Sequence, residues 1–164
     1  MLLALSLCCL NLFFCNDQSI DVTIDIPKEV QSNETVLLSG TIYNGSTSNI
    51  AFWDCKLFQY LYRGDTHWDL AIFKDGQQYF IPMVIAGKSI PPKVIKLKKG
   101  KKHLFGIPVS FKELSTDGFF PLNSIESGFY EIQLIVSLKT QKNATIKSNT
   151  VKCYLNVKAG NVSN

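Results

Sequence analysis

A chain of 164 residues has one-domain length and can bury a core without metals or a framework of disulfides. With 18 % charged and 12 % aromatic residues, the composition excludes an intrinsically disordered chain. The net charge of +4 comes from lysine, Arg63 being the only arginine, and a lysine excess without guanidinium forks argues against a nucleic-acid binder.

Residues 1–14 carry no charge, and the run "LLALSLCCLNLFF" is apolar apart from Ser6 and Asn11. A bilayer-spanning helix needs about 20 apolar residues, so the run is too short to span and reads as the hydrophobic region of a secretory signal, although no basic residue precedes it. "LFFC" resembles the lipobox of bacterial lipoproteins, with Leu12 in place and Phe13 and Phe14 where small residues are usual. Cys15 is therefore a lipidation candidate, which would tether the protein to a membrane. Simple signal cleavage is the competing reading. Residues 1–18 are assigned to signal and tether, 19–158 to one folded domain and 159–164 to a flexible tail.

From Ser19 onward the apolar period is two. "SIDVTIDIP" places Ile20, Val22, Ile24 and Ile26 on one face, the pattern of a half-buried strand. A second strand is expected over Thr35–Tyr43, ending at the turn-rich "NGSTSN", and a third from Ile50 with Phe52 and Trp53. "WDLAIFKDGQQYFI" predicts a hairpin, Trp68–Lys74 and Gln77–Ile81 about a primed Asp75-Gly76 turn. "KVIKLKKGKKHLFGIPVSF" predicts another, turning at Lys99-Gly100 and alternating through Phe105, Ile107, Val109 and Phe111. "SFKELS" allows one short helical turn. "GFYEIQLIVSL" and "NTVKCYLNV" are the closing strands. The fold class is all-β, an antiparallel sandwich of about seven to nine strands.

"VLLSGTIYNGSTSNIAFW", "WDLAIFKDGQQY", "VIKLKKG", "SGFYEIQLIV" and "SNTVKCYLNV", in that order, resemble the immunoglobulin-like or fibronectin-type sandwiches of exported bacterial proteins. The resemblance covers most of residues 19 to 158 and implies fold rather than function. It implies that Tyr130 is the corner tyrosine of such folds. The paired cysteines of antibody domains are absent, so no disulfide is carried over.

Of the mature-domain cysteines, Cys55 and Cys153 can pair only if their Cα atoms lie within about 7 Å. The preferred reading is two small buried apolar side chains. His67 and His103 lack zinc-site spacing, and no hydrolase, zincin or phosphate-loop motif occurs. Asp54, Asp65 and Asp69 read as solvated turn residues rather than a glycosidase pair or calcium site. No enzyme, metal or cofactor is expected.

Aromatic residues crowd the stretch from Phe52 to Phe80. In "KLFQYLYRG", Phe58, Tyr60 and Tyr62 share a side if extended; either they are covered or they form a binding patch. A sandwich core needs one or two large aromatics, and Trp53 or Trp68 is expected to fill it; the candidates for stacking on sugar rings are Tyr60, Tyr62 and, in the competing reading, Trp68. Lys98, Lys99, Lys101 and Lys102 surround Gly100 as a charged turn or, alternatively, an anion-binding tip. Asn33, Asn44, Asn143 and Asn161 begin Asn-x-Ser/Thr sequences and are candidate glycan acceptors should the protein be a eukaryotic secreted one. The functional expectation is a monomeric, non-catalytic module, exported to the envelope, cell surface or medium, that binds an envelope protein. The alternative is a module that binds a polysaccharide through exposed aromatics.

Overall fold

The computed structural model describes residues 19–55, 60–61, 68–81, 84–85, 93–116, 125–139 and 144–157. Strand β1 (Ile20–Asp25) buries Val22 and Ile24 and exposes Asp21, Thr23 and Asp25, as its alternation predicts. It pairs antiparallel with β3 (Thr35–Asn44), from Ile20 opposite Asn44 to Asp25 opposite Ser39. The other edge of β3 takes β10 (Lys102–Ser110), completing a three-stranded sheet in the order β1-β3-β10.

Past Pro27 the chain changes sheets. β2 (Glu29–Gln31) runs parallel to β12 (Thr145–Asn156) at the edge of a five-stranded sheet ordered β2-β12-β11-β6-β7. The other members are β6 (Trp68–Lys74), β7 (Gln77–Tyr79) and β11 (Gly128–Ser137). Two small sheets accompany these. β4 (Ile50–Trp53) pairs with β9 (Val94–Leu97), and β5 (Tyr60–Leu61) runs parallel to β8 (Val84–Ile85).

Leu38, Ile42, Phe105, Ile107 and Val109 from one large sheet and Leu70, Ile72, Ile132, Leu134, Val136 and Leu155 from the other belong to one apolar core. The protein is thus all-β, with several sheets around a shared interior, consistent with a β-sandwich. A side chain helps join the two large sheets. Asn149 Nδ2 donates to the Ile24 carbonyl (3.1 Å), and the Ile24 amide donates to Asn149 Oδ1 (2.8 Å), so the amide stands in for a peptide group between β12 and β1. Just before it the β11–β12 register shifts between Gln133 and Ile135, and the Leu134 amide donates instead to Ser148 Oγ (2.9 Å). That is how a β-bulge keeps a displaced N–H satisfied.

The expected hairpin at Asp75-Gly76 is present. Both residues have positive φ (50° and 81°), the requirement of a type I′ turn, and Lys74 lies opposite Gln77. Its second strand stops at Tyr79. Phe80 then exchanges backbone hydrogen bonds with Ser115 (2.7 and 2.8 Å), just beyond a 3-10 turn at Phe111–Glu113.

Three expectations need correction. Among the described residues there are twelve strands rather than seven to nine, because β2, β5 and β8 are pairings of two or three residues too short to carry an alternation. The sheets are not wholly antiparallel, since β2–β12 and β5–β8 run parallel. The strands flanking Lys99-Gly100 do not form a hairpin with each other, for β9 joins β4 and β10 joins β3. The turn itself forms, with the Lys101 amide donating to the Lys98 carbonyl (3.1 Å) and Gly100 at φ 68°. It is held by the end of β3: the Gly100 amide donates to the Asn44 carbonyl (2.7 Å) and the Asn44 amide to the Lys101 carbonyl (3.0 Å). Apolar period specifies which face a strand buries, but not which strand lies beside it.

Candidate functional site

Two outward faces and one turn carry side chains that the core does not use. On β11 the alternation that buries Tyr130, Ile132 and Leu134 sends Phe129 and Glu131 outward. On β12 the same parity sends out Lys152 and Tyr154, and on β6 it sends out Phe73. Register brings them together, with Phe129 opposite Tyr154 and Glu131 between Lys152 and Phe73. The Phe129 and Tyr154 rings meet edge to face at 5.0 Å, and Lys152 Nζ lies 2.9 Å from Glu131 Oε1. Phe129 is 66 % and Phe73 37 % exposed. The Asp75-Gly76 turn rises beside them, and Phe73, Lys74, Phe129, Glu131 and Lys152 line a cavity of about 450 Å³ with it.

One end of this cleft is held firmly. Tyr130 is buried, and its hydroxyl donates to the Glu126 carbonyl (3.0 Å). Burial, with minor help from nearby Tyr79 and acidic groups, pushes its phenol up to about 12, so it remains a donor at any physiological pH. Lys74 is also buried; its ammonium lies 5.8 Å from the Tyr130 ring centre and donates to Glu126 Oε2 (2.6 Å). The stem is buried while the charge reaches an exposed partner, as long cationic side chains do. The hydrogen bond and charge of Lys74 hold the Glu126 carboxyl below its ordinary value, and Glu126 in turn raises Lys74.

The outer face of the three-stranded sheet carries Leu37, 61 % exposed, and Leu104, 76 % exposed. Leu37 lies opposite Pro108 and its side chain covers Gly106, so Leu37, Gly106 and Pro108 form an apolar patch, with Leu104 further along the same face of β10, opposite Thr41. Pro108 has no N–H, and a proline inside a paired strand fits where its nitrogen faces away from the partner.

Lys98, Lys99, Lys101 and Lys102 are all exposed at the turn. Lys102 Nζ lies 5.9 Å from the Tyr43 ring centre, and the Lys99 amide donates to Asn49 Oδ1 (3.3 Å). The turn brings four ammonium groups to one tip, and the ion pairs among the described residues, Lys74–Glu126 and Lys152–Glu131, involve none of them.

Among the other sequence candidates, Trp68 is buried. It sits edge to face with Phe105 (4.9 Å) and Phe52 (6.1 Å), and its indole N–H donates to the Trp53 carbonyl (2.7 Å). It is a core residue and offers no ring to a ligand, which corrects its place among the stacking candidates. Tyr60 lies in β5, its side chain outside the described set; Cys15, Tyr62, Asp65, His67, Asn143 and Asn161 lie outside the described residues altogether. Asn33 is exposed, whereas Asn44 is fully buried, with its amide committed to four hydrogen bonds. Asn44 therefore cannot carry a glycan in the folded domain, and this corrects its reading as an acceptor.

Cys55 and Cys153 are buried free thiols. Burial raises both, Cys153 to about 11, so neither is an activated nucleophile. Asp69 is exposed on β6, while Asp54 follows β4. Among the described residues no three His, Cys, Asp or Glu side chains gather as a metal site. His103 packs edge to face on Phe52 (5.4 Å), and burial lowers its basicity.

Phe129, Tyr154, Leu37 and Leu104 were not among the sequence candidates. A signal for two of them exists in adjacent large residues: Phe129-Tyr130 and Leu37-Leu38 each lie on a strand, where neighbours point to opposite faces. One of each pair must then face outward.

No family model and no curated protein matches the chain. Among solved structures, the sporulation control protein Spo0M from Bacillus subtilis gives a TM-score of 0.48 at 9% identity, over 85% of this chain and 50% of that one. A β-glucosidase from Erythrobacter marinus gives 0.44 at 11% identity, over 84% of this chain and 15% of the enzyme. The chain thus spans half the length of the first and a small part of the second.

Proposed function

We propose that the protein is a non-catalytic interaction module: an immunoglobulin-like β-sandwich, exported to the cell envelope or medium, that contacts a protein partner in an accessory or adhesion-type role. The observation that carries this reading is the apolar patch of Leu37, Gly106 and Pro108, with Leu104 further along β10, on the outer face of the three-stranded sheet. Exposed apolar side chains gathered on a sheet face are costly to leave in water and mark contact surfaces. The immunoglobulin-like assignment draws support from the N-terminal strands, β1 in one sheet and β2 parallel to β12 in the other. It also draws on the Tyr130 hydroxyl bonding the backbone four residues upstream, as a corner tyrosine does. Export draws support from the uncharged apolar run of residues 1–14 and the polar segment after Cys15.

The experiment is site-specific photocrosslinking. A photoreactive residue at position 104, in the protein expressed in its own host, should give one saturable adduct, and Leu37→Glu should abolish it without lowering the melting temperature. An absence of any adduct, or adducts indifferent to Leu37→Glu, refutes contact through this face.

A further inference from the structure

The geometry points to a second site on the other sheet: the cleft between the Asp75-Gly76 turn and the outer faces of β11 and β12 binds an uncharged pyranose unit of an oligosaccharide. This inference does not depend on the protein-contact reading, which concerns Leu37 and Leu104 on the three-stranded sheet.

Phe73 and Phe129 provide two apolar surfaces, with Tyr154 buttressing Phe129 at 5.0 Å. Beside them lie the Glu131 carboxylate, opposite Phe73, and across it on β12 the Lys152 ammonium, 2.9 Å apart and substantially exposed, at 48% and 69%. Aromatic side chains beside a few convergent polar groups are the composition of a small-molecule site. The ion pair then selects among ligands. A purely apolar ligand would strip water from both charges and return nothing, a cost that removes the benefit of the phenyl contacts. An anion would gain Lys152 but face Glu131 and Asp75, Lys74 at the cavity wall being already paired with Glu126, while a cation would displace Lys152 from its partner.

A neutral sugar meets none of these penalties. Its C–H faces pack on the phenyl rings, and adjacent hydroxyls donate to the Glu131 carboxylate and accept from the Lys152 ammonium at once, replacing water bond for bond. The cavity of about 450 Å³ lies within the range of roughly 300–1,000 Å³ usual for small-ligand sites. The Phe129–Tyr154 pair is edge to face rather than coplanar, so the cleft grips a single ring or a chain end and offers no flat platform to a long chain. Aromatic walls with a neutralised ion pair are a different recognition surface from the lysine turn, which carries only positive charge.

The test is a nitrogen–proton NMR titration of the purified protein with neutral gluco-, manno- and galacto-oligosaccharides. Oligogalacturonate serves as the charged control. At least one neutral oligosaccharide should produce saturable shifts confined to residues 73–76, 129–131 and 152–154. Phe129→Ala should weaken that binding at least tenfold, and Glu131→Gln should do the same. Both side chains are exposed, so neither change should move the melting temperature by more than a degree or two, which keeps lost binding separate from lost fold. Leu37→Glu should leave the titration unchanged. The inference is overturned if no neutral oligosaccharide shifts these residues, if only oligogalacturonate does, or if Phe129→Ala binds as tightly as the parent.

Discussion

Replacing Asn44 tests whether this one side chain holds the end of β3, the following loop and the lysine turn together. Its Nδ2 donates to the carbonyls of Ser48 (2.9 Å) and Leu97 (3.0 Å), while its Oδ1 accepts from the Ser46 amide (3.1 Å) and the Ser46 hydroxyl (2.6 Å). The Leu97 bond is wholly buried. In Asn44→Ala that carbonyl loses its side-chain donor, at about 1–3 kcal/mol for a buried group left unsatisfied. The partners nearer the surface recover water, and their loss adds about 1 kcal/mol. The expected total is about 2–4 kcal/mol, read by urea unfolding followed by circular dichroism. In melting temperature this corresponds to a fall of about 3 °C per kcal/mol for a domain of this size.

Asn44→Asp discriminates the reasoning further. It keeps the acceptor for Ser46 but turns a carboxylate oxygen toward two carbonyl oxygens, so at neutral pH it should be more destabilising than Asn44→Ala despite being closer in shape. An Asn44→Asp protein as stable as the parent, or an alanine variant within 0.5 kcal/mol of it (the range of ordinary surface changes, roughly ±0.5 kcal/mol), would refute the role assigned to this amide.

Three further outcomes are expected. A Cβ at Gly40 would meet the Phe105 ring and the Thr23 carbonyl oxygen; because one obstacle is backbone, Gly40→Ala should cost about 1–3 kcal/mol, whereas Gly76→Asn meets no neighbouring atom and should cost only the strain of a side chain at positive φ, which Asn tolerates better than other residues. The Lys74–Glu126 pair should matter only within a pH window. Glu126 is held below its ordinary 4.5, so its contribution is present above that pH and lost as pH falls through the lowered value; Lys74 is raised above 10.5, so its contribution is present below that pH and lost as pH rises through the raised value. The melting difference between the parent and Glu126→Gln should therefore be flat from about pH 5 to 10 and vanish in acid, and a difference that persists in strong acid would refute the pairing. Finally, changing Lys98, Lys99, Lys101 and Lys102 to Gln should remove any salt-sensitive retention on heparin or anionic liposomes with little change in melting temperature; equal retention by the quadruple variant makes the tip only a turn.

Alternation along the chain was sufficient to place Val22 and Ile24, and Phe105, Ile107, Val109 and Phe111, in the interior, because a strand's side-chain period is a local property. The Asp75-Gly76 turn was equally legible, since positive φ at two successive residues is a demand that few residue pairs meet. Only tertiary structure decided that β9 and β10 part company at Gly100, because the backbone of Asn44, far earlier in the chain, supplies the hydrogen bonds that capture the turn. It also decided which of Leu37 and Leu38, and of Phe129 and Tyr130, faces water, for two large neighbours on a strand satisfy the same pattern in either orientation. The ion pair of Glu131 and Lys152 depends on register across two strands, and the burial of Trp68 depends on Phe52, Phe105 and the Trp53 carbonyl converging on it from β4 and β10. Pairing and register are long-range choices made when whole faces are buried at once, so the candidate site, unlike the strands that carry it, became visible only in the folded protein.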